Sequence, residues 1–127
     1  MTHSMGLDLV EIDRIRKSYS RHRDHFLERL FSDEEIAIIE SRKAGMYNTM
    51  AGKFAAKEAV MKALDPFFKQ GEIYLRDIEV LNSESGQPYI KLPDRLAKRI
   101  PGKKILISIS HERVFAAAVA TVVDETD

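Results

Sequence analysis

The sequence predicts an α+β fold, and three observations predict it. An apolar strand pattern opens the chain. Three helical patterns follow with no strand between them. The last third then alternates β-rich runs with turn residues and a single short helical pattern. At 127 residues and 44% hydrophobic composition the chain suits one domain, residues 1–127, with a core of modest size.

The elements follow in order. Ser4–Val10 reads as a strand, with Asp8 pointing to the face opposite Leu7 and Leu9. Glu11–Leu30 carries Ile12, Ile15, Tyr19, Phe26, Leu27 and Leu30 at helical spacing, which predicts two helical pieces with a break near Ser20. Ser32 with Glu35 three residues on is a capping-box pattern. It predicts a helix to about Lys43 with Ile36, Ala37 and Ile39 inward. After Gly45 a long helix runs from about Tyr47 to Leu64, ended by Asp65-Pro66 because the residue before proline avoids the α region. Phe67–Gly71 reads as a loop. Tyr74–Asn82 and Tyr89–Leu92 read as strands joined by the turn-rich Ser83–Pro88. Pro93–Ile100 predicts a short helix. Lys104–Ser110 and Val114–Val123 read as a closing hairpin whose Ala116–Ala118 stretch is small enough to pack closely on the long helix. Asp124–Asp127 reads as a frayed tail.

The long helix carries the most information. On a 3.6-residue wheel Lys53 and Lys57 form one charged stripe, and Glu58 and Lys62 form a second. Phe54 and Met61 lie between the stripes on one side, and Ala56, Ala59 and Ala63 lie between them on the other. An ordinary amphipathic helix has one polar face. Two charged stripes parted by two apolar seams predict that at least one stripe faces a partly enclosed site. An i,i+4 Glu58–Lys62 pair is also an ordinary surface feature, contributing a few tenths of a kcal/mol.

Composition narrows the functions. There is no cysteine, which excludes disulfides, thiolate metal sites and a cysteine nucleophile. The first residues lack an apolar signal region and no apolar run approaches the roughly 20 residues of a bilayer span. A cytoplasmic location is expected, with no membrane partner. Formal charge is zero, yet six Lys/Arg against two acids crowd residues 14–29, with His22 and His25 among them. A local basic face on a neutral chain favours an acidic partner over bulk nucleic acid, and no RNP-like, KH or helix-turn-helix signature is present.

Asp8 in a strand and Glu58 in a helix are carboxylates set among apolar neighbours. Without His or Cys beside them, they suit a hard cation such as Mg²⁺, which completes its shell with water and phosphate oxygens. Lys53, Lys57 and Lys62 on the same helix would give a phosphate ester a positive surround. Ser108-Ile109-Ser110-His111 ends an apolar strand and offers an imidazole to a phosphate. Phosphate-loop, dinucleotide and nucleophile-elbow motifs are all missing. A small Mg²⁺-dependent hydrolase would use the same two acids without needing a protein acceptor.

Four segments together resemble the holo-acyl-carrier-protein synthases, the small bacterial 4′-phosphopantetheinyl transferases: Gly6-Leu7-Asp8-Leu9-Val10-Glu11, Gly52-Lys53-Phe54-Ala55-Ala56-Lys57-Glu58-Ala59 with Lys62, Gly86-Gln87-Pro88, and Ser108-Ile109-Ser110-His111. The resemblance implies an antiparallel sheet packed on a long central helix. It implies transfer of phosphopantetheine from coenzyme A to a serine of apo acyl carrier protein in fatty acid biosynthesis. Asp8 and Glu58 match the Mg²⁺ ligands and, with Lys62, the catalytic set. Lys62 matches a lysine beside the pyrophosphate. Lys53, Gly86, Pro88 and His111 match the coenzyme A site. Arg14 and Arg21 match basic positions that receive the acidic carrier, and a homotrimer with interfacial sites is implied. Lys53 stands where the family usually has Arg, and Phe115 where Tyr is common. Lys57 then reads as solvated charge. For the serine's proton, both a metal-bound water and Glu11 remain candidates.

Overall fold

The opening strand is longer than its apolar core suggests: β1 spans Thr2–Glu11. In the computed structural model, which describes residues 1–126, it is followed by helices α1 (Ile12–Leu30), α2 (Asp33–Ser41) and α3 (Met46–Ala63), strands β2 (Glu79–Asn82) and β3 (Pro88–Lys91), the one-turn helix α4 (Asp94–Ala97), and strands β4 (Lys103–His111) and β5 (Phe115–Asp124). The order β1-β5-β4 forms an antiparallel three-stranded sheet, and β2 with β3 forms a separate hairpin.

The sheet packs on α3 through small residues. Ala118 and Ala120 of β5 are buried in one cluster with Ala56, Ala59 and Ala63 of the helix, and Ala116 in a second with Ala51. This is the close packing predicted for the 116–118 stretch, although Ala117 alternates to the outer face. Gly6 brings β1 nearest: a Cβ there would stand 1.9 Å from the Ala59 carbonyl oxygen. The outer face of the sheet is left bare, with Met5, Leu7 and Leu9 each more than 60% exposed.

Several local expectations are corrected. The break in α1 falls at Arg23 (φ 37°, ψ −111°), three residues beyond Ser20. The capping box at Ser32 and Glu35 forms, but α2 stops at Ser41, and Ala37 is exposed. Glu35 takes the inward place instead. Only Glu79–Asn82 of the predicted Tyr74–Asn82 strand is extended, because Leu75–Asp77 form a 3₁₀ turn closed by Asp77 on the Tyr74 amide. Asp124 is not frayed: it ends β5 and pairs with His3 and the N-terminal amine. Asp127 lies outside the described residues.

The largest correction concerns Lys57, which is fully buried rather than solvated. Its Nζ donates to Glu35 Oε1 at 2.7 Å, to the Ile78 carbonyl at 2.6 Å and to the Leu75 carbonyl at 3.0 Å. Glu35, equally buried, also accepts from the Ser32 and Val80 amides. Every buried side-chain polar atom among the described residues is satisfied. One ion pair therefore ties α2, α3 and the start of the hairpin together. Replacing Lys57 with Met is expected to leave the Glu35 carboxylate buried without its counter-charge. Urea unfolding should then show a loss of about 3–5 kcal/mol, and a loss under 1 kcal/mol would contradict this account.

Candidate active site

Alternation along β1 sends Asp8 to the same face as Gly6, toward α3, while Leu7 and Leu9 face outward. Glu58 and Lys62 occupy the flank of α3 above this edge of the sheet. The Lys62 Nζ donates to Asp8 Oδ1 at 3.1 Å and to the Leu7 carbonyl at 2.8 Å. Burial and, next, the charge of Asp8 push the Glu58 carboxyl above the usual carboxylate range, and Lys62 opposes them. Two carboxylates that repel across a shared space mark a place where a cation is stabilised. Among the described residues no cluster of three or more His, Asp or Glu has a metal-binding arrangement. Asp8 and Glu58 offer hard oxygen atoms, and such a pair fits Mg²⁺ because that ion takes few protein ligands.

Asp8 and Glu58 line a cavity of about 360 Å³ with Glu11 and Arg14, walled by Ile15, Phe26 and Phe54. Arg14 is exposed at its rim, and Arg21 lies two turns further along the same face of α1. The basic residues Arg16 and Lys17 between them are paired with Asp13.

A second cavity, of about 300 Å³, lies against β4 and the hairpin. Lys53, Gly86, Pro88 and His111 line it together. Arg42, Asn48, Thr49 and Asn82 also line it, and sequence reasoning assigned none of them to this site. Arg42, Asn48, Thr49 and Asn82 fall in none of the motifs read from the sequence. Lys53 is buried, with its Nζ donating to the Val80 carbonyl at 2.5 Å and to Asn82 Oδ1 at 3.3 Å. Burial lowers its pKa to about 8; Glu35 resists this, while Lys57 and Arg42 add to it.

The structure therefore sorts the predicted site residues into two groups. Asp8, Glu58 and Lys62 lie with β1, and Lys53, Gly86, Pro88 and His111 lie with β4 and the hairpin. The two cavities share no lining residue. Val10, Ala116 and His111 are register partners across the sheet, so β5 stands between the edges. Two strand spacings, roughly 10 Å, and the body of α3 part the groups within one chain.

A family model described as the 4′-phosphopantetheinyl transferase superfamily matches residues 4–121. The chain belongs to this superfamily. Among its members, the holo-[acyl-carrier-protein] synthase of Protochlamydia amoebophila is 41% identical over 94% of this chain and 97% of its own length. Similar solved structures are the Helicobacter pylori holo-[acyl-carrier-protein] synthase in complex with coenzyme A (34% identity, TM-score 0.82, covering 94% of this chain and 99% of that one) and the Bacillus anthracis synthase in complex with CoA (3′,5′-ADP) (30% identity, TM-score 0.80, covering 96% of each). The chain is thus a transferase of the holo-[acyl-carrier-protein] synthase kind, with the antiparallel sheet and long helix of these structures.

In this phosphopantetheinyl transferase the glycine under α3 sets the height of β1 and with it the position of Asp8. Gly6→Ala should force β1 off the Ala59 backbone. A stability loss of about 1–3 kcal/mol is expected, with a larger fractional loss of activity than of folded protein. Unchanged thermal stability and activity would count against the close approach.

Proposed function

We propose that the protein, acting as one transferase domain over residues 1–127, moves the 4′-phosphopantetheine arm of coenzyme A to a serine of apo acyl carrier protein. Adenosine 3′,5′-bisphosphate is released, and the setting is cytoplasmic fatty acid biosynthesis. The observation that carries this reading is the dicarboxylate cavity opening beside a basic helix, matched by a separate cationic cavity. A small hydrolase would have no use for the Arg14–Arg21 face.

The serine oxygen forms a bond to the β-phosphorus of coenzyme A as the bond to the nucleotide's 5′-phosphate oxygen breaks. Asp8 and Glu58 would hold Mg²⁺, which supplies charge neutralisation and Lewis acidity to the pyrophosphate. Lys62 has three N–H donors and gives two to Asp8 and the Leu7 carbonyl. The third can meet charge growing on the pyrophosphate. Glu11 is the third carboxylate of the cavity and can accept the serine's proton. Lys53 and His111 surround the nucleotide phosphates, and Gly86 and Pro88 bound the adenine side. Arg14 and Arg21 receive an acidic carrier protein, an attraction that salt weakens. No helix among the described residues is long and apolar enough to cross a membrane.

A homotrimer with shared sites is part of this proposal. The bare outer face of Met5, Leu7 and Leu9 supports a self-association surface. The separation of the two cavities supports a coenzyme A that spans the dicarboxylate edge of one copy and the His111 edge of the next.

Incubation with coenzyme A, Mg²⁺ and an apo carrier protein should add one phosphopantetheine to the carrier by intact mass. Asp8→Ala and Glu58→Ala should each cut the rate by about 10³-fold or more with unchanged circular dichroism. Full activity in either variant would sink the reading. A pH series gives a further expectation. Lys53 carries its charge below about pH 8 and loses it above, so the KM for coenzyme A should rise between pH 7 and 9. Lys53→Arg stays charged throughout and should lack that alkaline limb; an identical limb in both proteins would exclude Lys53 as its source.

A further inference from the structure

We propose, resting on the reading above, that Asn82 is a positioning residue for the nucleotide end of coenzyme A. Asn82 is the last residue of β2 and lines the second cavity. Its Oδ1 accepts from the buried Lys53 ammonium at 3.3 Å, and its Nδ2 donates to the Gly86 carbonyl at 3.0 Å. Partner chemistry fixes this orientation of the amide: an ammonium only donates and a carbonyl only accepts.

The turn that Asn82 holds has little else to hold it. Residues 83–87 are all exposed. Their remaining bonds are internal, from Ser83 N to the Gln87 carbonyl, from Gly86 N to the Ser83 carbonyl and between the Ser83 and Ser85 hydroxyls. Gly86 adopts φ +89°, a conformation reserved largely for glycine. Among the described residues, no other hydrogen bond connects this turn through a side chain to α3. Asn82 is therefore the joint between a rigid part and a loose one. The rigid part runs from Glu35 through Val80 N, and from Lys53 through the Val80 carbonyl. The loose part is the turn whose Gly86 and Pro88 face the cavity. A side chain with an acceptor at one end and a donor at the other is required, and asparagine supplies both on one planar group.

Loss of this joint leaves chemistry at the dicarboxylate edge intact and frees the wall against which the nucleotide rests. Asn82→Ala should raise the KM for coenzyme A by about 3–10-fold and leave kcat within about two-fold. The inhibition constant of adenosine 3′,5′-bisphosphate, which is the nucleotide end alone, should rise by the same factor, and the KM for carrier protein should not change. Asn82→Thr keeps a neutral acceptor for Lys53 but cannot reach Gly86. It should show the same split and serves if the alanine variant fails to fold. A folded variant with wild-type KM and inhibition constant, or one that loses kcat alone, would overturn the positioning role. A wild-type protein that neither transfers phosphopantetheine nor binds the bisphosphate would overturn the functional reading along with it.

Discussion

The close seat of α3 on the sheet governs everything else in the molecule. Ala59 and Ala63 on the helix side of the contact and Gly6, Ala118 and Ala120 on the sheet side leave no room for larger side chains. A helix this near a three-stranded sheet covers the central strand and leaves each edge strand overhung by one flank of the helix. Glu58 and Lys62 overhang β1, and Lys53 lies toward β4 and the hairpin. The two charged stripes of the helix thereby meet different surroundings. Small residues at the seam are what allow charged side chains on both flanks to reach backbone and carboxylate partners across short distances.

Burying ammonium groups beside such a seam carries a desolvation cost, and the chain offsets it in two ways. Burial lowers the Lys57 pKa and the facing Glu35 carboxylate opposes that shift; through this carboxylate and two carbonyls Lys57 holds α2 and the hairpin in register with α3. Lys53 has only neutral acceptors within reach, and its pKa falls accordingly. One turn of helix separates a lysine that meets a carboxylate from one that meets only neutral acceptors.

The element order, the long helix with its two stripes and the pairing of Asp8 with Glu58 were legible in the sequence, because each rests on local periodicity or on residue types that stand out from apolar neighbours. The grouping of Lys53 with Gly86, Pro88 and His111 was legible only through resemblance. What stayed hidden was tertiary. Glu35 reads as the third residue of a capping box, and it is one, but its second oxygen serves the Val80 amide 45 residues away. Nothing in the wheel of α3 distinguishes Lys57 from a solvated lysine, since its burial comes from α2 and the hairpin closing over it. Arg23 and Ser20 look equally able to break α1, and the 3₁₀ turn before β2 depends on Asp77 reaching back to Tyr74.

The central proposal is that one chain holds two half-sites on opposite edges of its sheet and that a working site joins halves from different copies. Co-expression of an Asp8→Ala chain with a His111→Glu chain tests it most directly. Each variant alone should be nearly inactive, whereas random mixing in a closed ring leaves about a quarter of the interfaces with both halves intact. Recovery of activity to about that fraction of wild type is the predicted result. Mixed assemblies, verified by native mass spectrometry, that remain as inactive as either parent would contradict the account.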